Sequence, residues 1–242
     1  MSYGTFSTLL SEKGTHSKVA KNEGVGVYSA IMHLAPAKDS GYEVCPMRSA
    51  GCTAACLNTA GFHYPKKQKA RINRTKMFFE DREKFMDKLG REIKNLQNRA
   101  WGKGLQPGIR LNGTSDIAWE RVPYKEHPNI MAAFPVTQFM DYTKRTNRRD
   151  LPENYRLVFS RSEENHVDCI AAIQNGINVA VVFKEALPAR FGFTYNQSLR
   201  VIDGDKHDWR WGDYDDYPNE CVIVGLLAKG HKAKQDTSGF VI

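Results

Sequence analysis

Val25-Gly26-Val27-Tyr28-Ser29-Ala30-Ile31-Met32-His33-Leu34 is the stretch on which the reading of this chain turns. It is rich in β-branched and aromatic residues and stops at Ala35-Pro36, where proline cannot donate to a ladder. Residues 108–111, 136–140, 155–160, 179–183, 199–202 and 222–227 give further strand candidates. Several of these are short apolar runs without polar alternation, the pattern of strands covered on both faces of a parallel sheet. Helical periodicity fills two of the intervals. Over 75–98 the apolar residues Phe78, Phe85, Leu89, Ile93 and Leu96 recur on one face of a long amphipathic helix, and a second helix is expected over 166–175. Strands alternating with helices predict the α/β class, with a mostly parallel sheet forming an open or partial (β/α) barrel. The 242 residues, 41% of them apolar, suffice for one large core, and no repeat or linker divides them. A single domain over 1–242 is therefore expected, with a cysteine-rich loop at 44–61.

No run of about 18 apolar residues is present to span a bilayer, and the N-terminus lacks the charged-then-apolar order of a secretory signal. The expectation is a cytoplasmic protein with no membrane partner. In a reducing compartment its five cysteines are not expected to form disulfides. Cys169 and Cys221 precede the apolar runs 170–172 and 222–224 and read as core thiols. Cys45, Cys52 and Cys56 differ, because they share one loop with the spacing C-x6-C-x3-C. Three thiolates from one short loop are a metal-ligand set. Structural zinc wants a fourth ligand, which His63 could supply, whereas a 4Fe-4S cluster on three cysteines leaves one iron open to an outside ligand. The iron-sulfur reading is preferred and zinc is the alternative.

Polar residues gather where the predicted strands end: 112–116, 141–144, 160–163, 184–185 and 203–205. In parallel α/β folds the carboxyl ends of the strands form the site, which would place these residues beside the cysteine loop. The formal charge of +8 is uneven, with Lys66, Lys67, Lys69, Arg71, Arg74 and Lys76 in one stretch and Lys144, Arg145, Arg148 and Arg149 in another. Such patches suit a nucleic acid, a nucleotide or another phosphate-bearing partner, although a solvated basic face has the same composition. The acidic and aromatic segment 201–216 has no glutamate at the twelfth position from Asp203 and so fails as a calcium loop. It is expected to fold over the sheet end, with Asp203 and Asp205 inward and Trp209 and Trp211 packed rather than forming a base-stacking surface.

A first strand, a three-cysteine loop and then further strand and helix units resemble the radical S-adenosylmethionine enzymes, whose common spacing is C-x3-C-x2-C. That resemblance implies a 4Fe-4S cluster on Cys45, Cys52 and Cys56, with S-adenosyl-L-methionine on the open iron. It also implies cofactor contacts from the loop after the second strand (Asn112, Gly113, Ser115, Asp116) and from a later strand end (Ser160, Ser162, Glu163). Over most of the chain, the segments Cys45-Pro46, Gly51-Cys52, Cys56-Leu57, Ala60-Gly61, 110–116 and 224–230 are similar to an uncharacterised family of bacteriophage and plasmid proteins called gene product eighty-eight. A phage setting would put the protein in the host cytoplasm. It also admits a different class of function, a zinc-stabilised nucleic-acid-binding or host-interaction protein without catalysis.

Overall fold

The structure is a computed structural model that describes residues 6–12, 17–56 and 65–242. The end of the predicted cysteine loop at 57–61 and the alternative ligand His63 lie outside the described residues. The strands are β1 (Leu10–Ser11), β2 (Val27–Met32), β3 (Gln106–Arg110), β4 (Gln138–Thr143), β5 (Tyr155–Ser160), β6 (Val179–Phe183), β7 (Arg190–Phe191), β8 (Leu199–Asp203) and β9 (Ile223–Leu227). The helices include α1 (Ser17–Ala20), α2 (Ala37–Ser40), α3 (Ala50–Ala54), α4 (Pro65–Glu80), α5 (Arg82–Trp101), α6 (Ile130–Ala133), α7 (His166–Gln174), α8 (Gly212–Asp216) and α9 (His231–Lys234). This is an α/β fold with a mostly parallel sheet in the order β1-β2-β3-β4-β5-β6-β9-β8-β7. The sheet is open, and from β2 to β6 its order follows the chain, as in (β/α) barrels rather than doubly wound sheets. The edge strands β1 and β7 pair antiparallel with their neighbours. They were not foreseen, because two residues carry no readable period. No described helix is long and apolar enough to cross a membrane.

The chain divides into two compact units. One comprises residues 1–46, 63–141 and 148–156, and the other 47–62, 142–147 and 157–242. In the first unit, all six residues of β2 are buried, as its continuous apolar run requires. The expected helical face is also buried: Phe78 is 2% exposed, and Phe85, Leu89, Ile93 and Leu96 are fully covered. Each such side chain contributes about 1.5–3 kcal/mol relative to exposure. The single helix predicted over 75–98 is, however, two. Asp81 leaves helical geometry (φ −146°, ψ 65°), Arg82 Nε donates to the freed Phe78 carbonyl (3.0 Å), and the Arg82 guanidinium lies 4.1 Å from the Phe78 ring centroid. Continuous apolar spacing hides this break, since Phe78 and Phe85 stay on one buried face across it.

In the second unit, one core cluster gathers Phe159, Cys169, Ala172, Val179, Val181, Phe183, Phe193 and Ile223. A second sets Val158, Ala180 and Val224 against Tyr142, Ile202 and Leu226. Ala55, just past α3, packs with Ala228, Ala233 and Val241. The segment 201–216 departs from expectation. Asp203 is exposed and accepts the Asp205 N–H (2.8 Å), while Asp205 accepts from Leu227 N–H (3.1 Å) and pairs with Lys229. Asp203 therefore organises a turn, while Asp205 ties the segment to the end of β9. Trp209 is packed as expected, at 4% exposure.

Candidate metal centre

None of the five cysteines is disulfide-bonded, and Cys45, Cys52, Cys56 and, against the expectation of a core thiol, Cys221 are each partly exposed. Cys169 is fully covered, and burial pushes its thiol up to about 12, with Asp168 adding to the rise against the opposing pull of Arg161. Cys221 donates to the Ile173 carbonyl (3.4 Å), and burial raises it too. At both positions burial disfavours the thiolate. Among the described residues no three His, Cys, Asp or Glu side chains are grouped as a metal-binding set.

In the first unit, Cys45 is held against the loop that follows β3. Its thiol donates to the Thr114 carbonyl (3.7 Å), and Asp116 N–H donates to the Val44 carbonyl (2.7 Å). Gly113 lets this loop lie on the end of β2, because a Cβ there would sit 2.5 Å from the Met32 carbonyl oxygen and 2.6 Å from His33 Nδ1. Thr114 Oγ1 donates to the Leu34 carbonyl (2.8 Å), and Arg71 reaches both Leu34 O (2.7 Å) and Thr114 Oγ1 (3.1 Å).

Asn112 is the hub of the loop. Its Oδ1 accepts from Ser115 Oγ (2.8 Å), Ile117 N (3.0 Å) and Trp119 Nε1 (3.0 Å). Its Nδ2 donates to Ile117 O (2.9 Å) and Asp141 Oδ2 (3.3 Å). The amide group is fully used within the protein, so Asn112 shapes the loop. Asp116 lies 3.7 Å from Arg148.

Behind the loop stands a buried charged network that joins Asp141, the first residue of the expected strand-end group 141–144, to Arg148 of the second basic stretch through Tyr155. Asp141 accepts from Asn112 N (2.6 Å) and Tyr155 Oη (2.8 Å), and Arg148 binds Glu120 through Nε (3.0 Å) and Nη2 (2.6 Å). Burial drives the Asp141 carboxyl up to about 7 against the opposing Asn112 hydrogen bond and the fields of Arg110 and Arg148. Burial alone would lower Arg148, but Tyr155 and Glu120 outweigh it and hold the guanidinium charged. One acid inside the buried strand β4 was the available signal.

In the second unit, Glu163 lies against the start of α3. Its carboxylate accepts the Gly51 N–H (2.6 Å) and the Ser49 hydroxyl (2.7 Å), and Ser49 Oγ caps α3 by accepting the Cys52 N–H (3.1 Å). Burial raises the Glu163 carboxyl, but hydrogen bonds from its own backbone, Ser49 and Gly51 outweigh this and leave it below its ordinary value. Gly51 is needed for the approach, since a Cβ would sit 2.7 Å from Glu163 Oε1. Ser162 is buried, and its N–H donates to Asn165 Oδ1 (2.6 Å), while Asn165 Nδ2 donates to Ser160 O (2.9 Å). The two predicted strand-end loops thus each meet part of the cysteine segment within their own unit, 112–116 at Cys45 and Glu163 at Ser49 and Gly51.

The family described as Gene product 88 matches residues 8–242. The chain belongs to that family. Its description names no reaction or ligand, so membership carries the strand-end loops and cysteine segment together without assigning them work. No curated protein and no solved structure matches the chain.

The basic stretches are less uniform than their composition. Arg71 is buried, Arg74 donates to the Thr8 carbonyl (2.9 Å), and Arg148 is buried in the network above. Lys66, Lys67, Lys69 and Lys76 remain exposed on α4.

Proposed function

We propose that this member of the Gene product 88 family is an iron-sulfur protein in which Cys45, Cys52 and Cys56 hold a 4Fe-4S cluster. The observation that supports the reading is the placement of the thiols: Cys45, Cys52 and Cys56 share the one short segment after β2, whereas Cys169 and Cys221 stand in separate apolar runs where burial raises the thiol. A cluster with one open iron supplies one-electron chemistry and a coordination site for S-adenosyl-L-methionine, as in radical S-adenosylmethionine enzymes. The protein's own part is to hold Cys45 through Thr114 and Cys52 through Ser49. Asp116 and the backbone of 113–115 are the groups proposed to receive the cofactor, with Asn112 shaping them. The exposed Lys66, Lys67, Lys69 and Lys76 would attract a nucleotide, nucleic acid or other phosphate-bearing substrate in the host cytoplasm.

Anaerobic purification with iron and sulfide analysis tests the reading. Wild-type protein should be brown, with broad absorbance near ~400 nm, and should bind S-adenosyl-L-methionine by calorimetry. Cys45→Ala, Cys52→Ala and Cys56→Ala should each lose iron, while Cys169→Ala and Cys221→Ala should keep it. A colourless protein carrying stoichiometric zinc would replace the cluster with a structural metal. Iron retained in full by any of the first three variants would overturn the assignment.

A further inference from the structure

Arg91, Lys94, Asn98 and Trp101 recur in α5 at spacings of three, four and three, so they line one stripe of the helix, and all four are exposed. Lys84, also exposed, lies on the same side about two turns before Arg91. Lys84, Arg91 and Lys94 have no acidic partner among the described residues. The other cations of the helix are engaged. Arg82 covers the Phe78 ring, Lys88 donates to the Ser7 carbonyl (2.8 Å), and Arg99 donates to Glu12 (3.0 Å). The acids that would neutralise the stripe are drawn away from it. Glu92 accepts the N–H groups of Leu9 (2.9 Å) and Leu10 (2.8 Å), and Asp87 faces Lys125 (3.8 Å). Glu83 sits in the first turn, where the helix dipole favours it.

The stripe ends on an uncovered indole. Trp119 and Trp209 are packed and Trp211 is half-buried, whereas Trp101 is 54% exposed and meets no aromatic or cationic side chain among the described residues. It stands on a fixed turn. The N–H groups of Gly102, Gly104 and Leu105 donate to the carbonyls of Asn98 (3.0 Å), Trp101 (3.0 Å) and Ala100 (2.9 Å), and Gly104 takes the left-handed φ of 65° that the turn requires.

We infer that the outer face of α5 binds single-stranded nucleic acid, with Lys84, Arg91 and Lys94 along the phosphates and Trp101 stacked on a base. Unpaired cations select a polyanion, and an aromatic ring beside them adds a stacking platform. A single strand fits better than a duplex, because the ring needs a base face that neighbouring bases do not already cover. A lipid surface fits worse, because an interfacial helix inserts its apolar face and that of α5 is buried in the core. Neither the cysteines nor the exposed lysines of α4 take part, so this surface stands or falls apart from them.

Fluorescence anisotropy of a labelled oligothymidylate, over a series of salt concentrations, compares full-length wild type, Trp101→Ala, Trp101→Phe and the triple variant Lys84→Gln, Arg91→Gln, Lys94→Gln. All four positions are exposed, so each variant should keep the wild-type melting profile. Trp101→Ala should bind about 5- to 150-fold more weakly with an unchanged salt slope, and Trp101→Phe should recover part of the loss. The triple variant should lose up to about 2 units of slope, roughly 0.7 for each phosphate contact removed. The oligonucleotide should quench tryptophan emission in wild type and not in Trp101→Ala. Wild-type affinity in Trp101→Ala, an unchanged slope in the triple variant, or equal quenching by a duplex would each overturn the assignment. Binding that survives in every α5 variant but is lost on reversing the α4 lysines would overturn it and leave the α4 surface. Wild type that binds no oligonucleotide at low salt overturns it as well, and capture by anionic phospholipid vesicles in its place would assign the face to a membrane surface.

Discussion

Replacing Arg148 with methionine removes the cation at the centre of the buried network in the first unit. Its side chain is 1% exposed and that of Glu120 only 4%, and two hydrogen bonds of 3.0 and 2.6 Å join them. Arg148 also donates to Tyr155 Oη at 2.7 Å and lies 3.7 Å from Asp116. Methionine fills much of the volume but leaves the Glu120 carboxylate buried without its partner. Breaking a buried pair in this way costs about 3–5 kcal/mol, far more than a surface pair. For a chain of this length that corresponds to a fall of roughly 6–20 °C in melting temperature. Arg148→Lys keeps the charge but loses the two-pronged geometry and should fall between wild type and methionine. Arg149→Met, at the exposed neighbouring position, is the control and should stay within about 0.5 kcal/mol of wild type. Circular dichroism melts at pH 7 measure all three. A loss below about 1 kcal/mol in Arg148→Met, with Glu120 still buried, would refute the reasoning, since the penalty of a stranded buried charge is its premise.

Two further outcomes follow from the same structure. Asp141 titrates near 7 in the folded protein against an ordinary value of 3.8, so between those pH values the native state holds a proton that the unfolded chain has released. Its contribution is therefore fully present below pH ~4, is lost as pH rises to ~7 and is flat above, a total on the order of 4 kcal/mol. Denaturant titrations from pH 4 to 8 should show this slope in wild type and lose it in Asp141→Asn; an unchanged slope would assign it to other groups. Reversing Lys66, Lys67, Lys69 and Lys76 to glutamate should weaken nucleic-acid binding and flatten its dependence on salt, because each neutralised phosphate adds to that slope. Equal slopes for wild type and the reversed variant would return α4 to a solvated face.

The amino-acid sequence alone determined the α/β class, the strands β2, β3, β4, β5, β6, β8 and β9 to within a few residues, and the buried face of α5. These follow from local rules, since an apolar run as short and as rich in β-branched residues as 179–183 suits a strand covered on both faces. The sequence reading of Cys169 as a core thiol holds, whereas Cys221, read the same way from its apolar neighbours, is partly exposed. The break at Asp81 escaped it because the apolar spacing continues across the kink. The partners of charged and polar groups were settled only by the tertiary structure. Arg71, Arg74 and Arg148 read as members of basic patches, yet they bind Leu34, Thr8 and Glu120, residues 37, 66 and 28 positions away. Asn112 and Glu163 read as cofactor contacts, yet one is enclosed by its own loop and the other reaches 112 residues back to Gly51. A side chain's charge is written in the sequence, but its hydrogen-bond partner is a matter of distance in space. Only the folded chain brings Glu163 to Ser49, and with it the loop after β5 to the first turn of the cysteine helix.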